Sequence, residues 1–245
     1  MNIFDDILEF IAPRVCPCCG KRLGAMEEYV CVNCYMFMPR TNYHLLKHND
    51  NEVEKLFWKK VPIENVVDLV YYEKDTQGIV HKFKYRNSPY LAWYIMRCLV
   101  KEIVDYGNSN NLADSDSAGG IDLFSDVDAI IPVPLHWFRF STRGYNQSYY
   151  LAKGIEDVVH IPIWDDVVCR RRYNLSQTKF QRHQRAANVK DIFRLTKPEK
   201  VADKHVLLVD DVMTSGSTIM NLAQEVAKAP GVRISILCFA HAKSR

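Results

Sequence analysis

The sequence specifies an α/β domain built on a parallel sheet, fronted by a short module that cysteines hold together. Strand-length apolar runs, such as 129–133 and 206–209, alternate with helical stripes from Asp126 onward, the pattern of strands covered on both faces by helices. Five of the eight cysteines fall between residues 16 and 34. Apolar residues make up 48% of the 245 and charged residues 25%, with 10 Gly and 10 Pro, which is globular composition able to form a sizeable core. Disordered, collagen-like and coiled-coil readings are excluded.

Ile3, Phe4, Ile7, Leu8 and Ile11 recur at helical spacing, and the acidic polar face of that helix turns it toward protein rather than anionic lipid. Cys16 and Cys19, then Cys31 and Cys34, form two Cys-x-x-Cys knuckles that point four soft ligands at one ion, the pattern of a structural zinc ribbon. Cys18 is surplus. Four thiolates leave no open position for a catalytic water, and so short and polar a segment has no core without a metal. Residues 35–65 read as a connector and 66–72 as a short strand. After Pro89, the residues Leu91, Ile95, Cys98, Leu99 and Ile103 form a helical stripe ending near Gly107, and 108–120 is a polar surface loop. Beyond it come a strand at 127–133, a basic loop after Pro134, a helix at 146–155, a short strand near Val167 and Val168, and an Arg-rich stretch at 170–194. A strand at 206–209, a helix over about 218–229 and a last strand at 233–240 close the chain. The expected division is an N-terminal helix and zinc ribbon at 1–40, a connector with a helical segment and flexible insertion at 41–125, and an α/β core at 126–245.

A net charge of +3 announces neither a nucleic-acid nor a membrane binder, so any basic function must be local. It is: Arg170, Arg171, Arg172, Lys179, Arg182, Arg185, Lys190 and Arg194 face a single acid, Asp191. No run approaches the length of a membrane span and the N-terminus lacks the pattern of a secretory signal, so a cytoplasmic protein with reduced thiols is expected.

The most informative stretch is 206–218. Four apolar residues drive a strand to its end, where Asp210 and Asp211 emerge; Thr214, Ser215, Gly216, Ser217 and Thr218 then lead into a helix. Amides at such a turn form a nest for a phosphate, and the carboxylates sit where vicinal hydroxyls can donate to them. One ligand with a 5-phosphate and a free ribose diol satisfies both halves.

This run resembles the phosphoribosyl pyrophosphate (PRPP) motif of type I phosphoribosyltransferases. The resemblance implies that Asp210 and Asp211 hold the ribose hydroxyls and that Thr214 to Thr218 hold the 5-phosphate. Ile131-Pro132-Val133-Pro134-Leu135, Arg139, the run from Arg143 to Ser148, and the spacing of Gln177, Arg185 and Asn188 resemble the ComF family of competence-associated proteins; Lys84-Tyr85 also fits, and Phe180 stands where the family commonly has Leu. That resemblance implies a type I phosphoribosyltransferase-like sheet behind a four-cysteine ribbon, PRPP or another ribose 5-phosphate as ligand with magnesium, and a mobile lid carrying Gln177, Arg185 and Asn188. Arg139 and Arg143 become candidates for the leaving pyrophosphate, and Arg185 joins them as a catalytic candidate. Thr214 occupies the position where some purine-using relatives place an acid, which argues against their mechanism and leaves the acceptor unidentified. The alternative is a non-catalytic DNA-uptake adaptor that binds single-stranded DNA or a helicase partner. Transcriptional regulation with PRPP as effector is weaker, because no DNA-reading helix pair stands out.

Overall fold

Four parallel strands form the sheet at the centre of the computed structural model, which describes residues 13–46, 61–85, 88–110, 123–171 and 192–242. In chain order the elements are α1 (Val32–Met36), a 3-10 turn (Tyr43–Leu45), β1 (Ile63–Tyr71), α2 (Lys74–Tyr85), α3 (Pro89–Asn110), β2 (Ala129–Pro132), α4 (Trp137–Arg143), α5 (Gln147–Val159), β3 (Val168–Arg170), β4 (Phe193–Leu195), α6 (Pro198–Val201), β5 (His205–Met213), α7 (Ser217–Val226) and β6 (Arg233–His241). The strand order is β1-β6-β5-β2, so the most apolar strands, β5 and β6, lie inside. Val206 to Val209 and Ile236 to Ala240 are essentially inaccessible, as expected of strands covered on both faces. Both edges are occupied: the Tyr71 amide donates to the Pro39 carbonyl at 2.9 Å on one side, and the Ile130 amide to Pro162 at 2.9 Å on the other.

β1 comes from the 41–125 stretch and joins the sheet beside β6, in register from Asn65 opposite Ser235 to Tyr71 opposite His241. α5 lies close against α3. Gly154 makes that approach possible, because a Cβ there would meet the Trp93 carbonyl oxygen and stand 2.9 Å from the Arg97 nitrogen.

Several elements differ from the sequence expectation. The basic loop after Pro134 contains a helix, α4, because both its ends are capped: His136 Nδ1 accepts from the Phe138 amide at 3.2 Å, and Gly144 closes it in the left-handed conformation at φ 80°. α2 was not anticipated at all, although Thr76, Ile79, Val80 and Phe83 bury one face of it. α3 runs past Gly107 to Asn110, so the polar loop begins later than its composition suggested. β5 does not stop at Val209: β6 is long enough to pair Asp210 with Cys238 and Met213 with His241, which carries the strand through both acids. The strand near Val168 pairs antiparallel with β4, apart from the parallel sheet. The N-terminal amphipathic segment, most of the 108–120 loop and most of the 170–194 basic stretch lie outside the described residues.

Candidate functional site

A cleft of about 300 Å³ opens at the carboxyl ends of β5 and β2, where chemistry is expected in an open parallel sheet. β5 contributes Asp210, Asp211 and Val212 to its wall, the following turn contributes Thr214 and Thr218, and the segment after β2 contributes Val133, Pro134, Leu135, Arg139 and Arg143. α2 reaches in with Lys84 and Tyr85, and Arg170 comes from the end of β3. Arg139, Arg143, Asp210, Asp211, Thr214 and Thr218, all selected from the sequence, therefore share one cavity. Ser215, Gly216 and Ser217 form the turn beside it. Gly216 takes φ 69° and precedes α7 with no side chain of the described residues capping its amides, while Ser215 Oγ and Ser217 Oγ lie 2.8 Å apart. Arg185, Gln177 and Asn188 fall outside the described residues.

The acids are held unequally. Asp210 Oδ1 accepts from Ser148 Oγ at 3.1 Å and from the Asp211 amide at 2.9 Å. Burial, then the adjacent Asp211 charge, pushes its carboxyl up to about 7. Asp211 Oδ1 makes an ion pair of 2.9 Å with Lys84 Nζ. Burial pulls the Lys84 ammonium down, but the Asp211 carboxylate outweighs it and leaves Lys84 raised. Asp211 Oδ2 is buried and has no hydrogen-bond partner among the described residues, and the same holds for Arg170 Nε. Left unmade, such bonds are costly, so the cleft presents one acceptor suited to a hydroxyl and one donor suited to an anion. Arg143 stacks over the Tyr85 ring at 5.3 Å and donates to Gln147 Oε1; Arg170 lies over the Phe193 ring at 5.4 Å.

Sequence reasoning counted Arg170 in the basic stretch that the resemblance makes a lid, and matched Lys84 and Ser148 to the family without giving either a role in this cleft. A further polar group lies beside it: Asp68 and Cys238 continue the ladder row of Asp210 across three strands, and Asp68 Oδ2 lies 2.9 Å from His241 Nδ1. Burial raises the Asp68 carboxyl to about 6. The available signal was a lone acid inside an apolar strand, which is rarely accidental.

At the N-terminal module, Cys16, Cys19, Cys31 and Cys34 place their sulfurs within 4.8 Å of one another. Cys19 Sγ and Cys31 Sγ are 3.8 Å apart, and four sulfurs at about 2.3 Å from zinc in a tetrahedron stand roughly 3.8 Å from one another. The Cys34 amide points at Cys31 Sγ at 3.4 Å. The cluster is compatible with a structural zinc. Cys18 stands outside the set, and burial pushes its thiol up to about 12.

The phosphoribosyl transferase domain family matches residues 146–245, the part of the chain that holds β5, the turn and α7. The DNA utilization protein YhgH of Escherichia coli O6:H1 (strain CFT073) is 27% identical over 225 residues, 91% of this chain and 88% of that one. Competence protein F of Haemophilus influenzae is 27% identical over 87% of this chain and 78% of its own length. Competence protein ComFC of Bacillus subtilis is 23% identical over 86% and 71%. The chain is thus similar over most of its length to competence and DNA utilization proteins. The phosphoribosyltransferase-like sheet carries the cleft, and no helix among the described residues is long and apolar enough to cross a membrane.

Proposed function

We propose that this protein is of the ComF type and binds PRPP together with magnesium, transferring its phosphoribosyl group to an acceptor and releasing pyrophosphate. The observation that carries the reading is Asp211 Oδ2, buried and without a partner among the described residues, beside a turn of small hydroxylated residues that opens a helix. A ribose hydroxyl supplies the missing donor, and the 5-phosphate takes the turn amides and hydroxyls of 214–218. Arg139, Arg143 and Arg170 line the same cleft and would neutralise pyrophosphate as it departs and the ribose carbon gains positive charge; the family resemblance assigns Arg185 to the same task. Gln177 and Asn188 complete that lid, whose closure excludes water. The four cysteines hold a structural zinc, and the protein works in the cytoplasm. Calorimetry with PRPP and magnesium tests the reading: wild type binds and Asp210→Asn/Asp211→Asn does not. Equal heats from both proteins, or none from wild type, refute it.

A second reading is supported by α4. Trp137, Phe138 and Phe140 are 70%, 46% and 51% exposed, interleaved with Arg139 and Arg143, on a helix with no buried residue. Exposed aromatics among arginines form a stacking platform for single-stranded DNA, and the names of the relatives point the same way. In this reading the protein is a non-catalytic DNA-uptake adaptor that presents a strand to a helicase partner. Pyrophosphate release from PRPP with a panel of bases, amines and nucleic acids separates the two: an acceptor-dependent signal establishes the enzyme, and its absence alongside salt-sensitive strand binding establishes the adaptor.

A further inference from the structure

Gly78 lies inside α2, where glycine costs about 1 kcal/mol relative to alanine, so its presence needs a packing reason. The reason is the first cysteine knuckle. A Cβ on Gly78 would collide with the Pro17 carbonyl oxygen and stand 2.9 Å from the Pro17 carbonyl carbon and 3.6 Å from Cys18 Cα. Pro17 sits between Cys16 and Cys19, so whatever fixes the knuckle fixes the backbone on which α2 rests. A second tether runs from Lys82 Nζ to the Val15 carbonyl at 3.4 Å. Seven residues beyond Gly78, about 10 Å along the helix, α2 ends in the cleft. There Phe83 is fully buried with its ring 5.8 Å from that of Phe239, and its carbonyl accepts from Tyr145 Oη. Lys84 meets Asp211, and Tyr85 carries the Arg143 guanidinium.

We propose that the cysteine knuckle at 16–19 is a metal-dependent strut that, through the Pro17–Gly78 contact, positions Lys84 and Tyr85 in the cleft. Gly78 and Pro17 are positioning residues in this scheme. Loss of the metal frees the knuckle, shifts α2 and withdraws Lys84 from Asp211. The chemical identity of the cleft ligand rests on the PRPP reading above; the strut does not, and its test reads Lys84 without any ligand.

The experiment is trace acetylation of the full-length protein with acetic anhydride at pH 8, quantified by mass spectrometry, with the exposed Lys74 on the same helix as internal reference. Three samples are compared: metal-loaded wild type, wild type stripped with a chelator, and Gly78→Ala; Gly107→Ala, where an added Cβ meets nothing within 4 Å, is the control. Lys84 labelling relative to Lys74 should rise severalfold in the stripped and Gly78→Ala proteins, as the ammonium leaves its ion pair with Asp211 and becomes accessible, and stay put in Gly107→Ala. Loss of zinc from Gly78→Ala also supports the strut, because that residue is remote from the ligands in sequence. Unchanged Lys84 labelling in either the stripped protein or Gly78→Ala overturns the proposal. Collapse of the far-UV helical signal in either one also overturns it, since the ribbon would then be part of the folding core rather than a strut. PRPP titrations on the same samples report separately: no binding by metal-loaded wild type refutes the ligand assignment and leaves the labelling result standing.

Discussion

Asp210→Asn should make the unliganded protein more stable at pH 8 while abolishing ligand binding. In the folded chain the Asp210 carboxyl is raised from 3.8 to about 7 by burial and by the neighbouring Asp211 charge. A carboxyl raised on folding keeps a proton that the unfolded chain gives up. Stability therefore falls as pH rises from about 4 to about 7, and is level above that window. A shift of about three units at ~1.4 kcal/mol each sets a ceiling of about 4 kcal/mol on the cost of ionising this group. Asparagine keeps an oxygen for the Ser148 hydroxyl and the Asp211 amide, and its NH2 adds a donor beside Asp211. The expected gain is negligible below pH 4 and reaches roughly 2–4 kcal/mol at pH 8. Urea unfolding of wild type and Asp210→Asn at pH 4, 5, 6, 7 and 8 measures it. A stability difference that does not change with pH, or a less stable mutant at pH 8, would refute the argument that this carboxylate is held at a cost for its ligand.

Gly154→Ala should destabilise the protein by about 2 kcal/mol through overpacking, because the added methyl meets the α3 backbone at Trp93 and Arg97; thermal unfolding reads it. Purified protein should contain roughly one zinc per chain by metal analysis, lost in Cys31→Ser and retained in Cys18→Ser, since Cys18 lies outside the four-sulfur cluster. Replacing Trp137, Phe138 and Phe140 together by Ala should weaken single-strand binding by about 1–3 kcal/mol for each stacked base, while shifting stability little because the helix buries none of its residues. Unchanged strand affinity would remove the support that α4 gives to the adaptor reading.

What the sequence disclosed and what it withheld follow from the range of the forces involved. The strand at 206–209 and the 236–240 part of the last strand were legible because burial on both faces leaves an unbroken apolar run, which needs no partner to be recognised. The two cysteine knuckles were legible because ligand spacing is local. α4 was not: seven residues with exposed aromatics and arginines carry no apolar stripe, and the helix exists because of His136 and Gly144 at its ends. α2 was hidden for a different reason, since Lys, Gln and His residues surround the four positions that bury its face.

The site divides along the same line. Asp210, Asp211 and the 214–218 turn are contiguous, so a strand ending in acids and small hydroxylated residues disclosed them without any tertiary information. The groups that set their charge arrive from elsewhere: Lys84 from 127 residues upstream of Asp211, Ser148 from the start of α5, and Arg170 from β3. A motif can name the carboxylates, but only the fold says which of them is paired. Here Asp211 has its cation and Asp210 has a hydroxyl and an amide, so the two neighbours are not interchangeable. Removing the Asp210 charge relieves a buried repulsion. Removing the Asp211 charge strands a largely buried Lys84, which turns one adjacent pair into opposite stability outcomes.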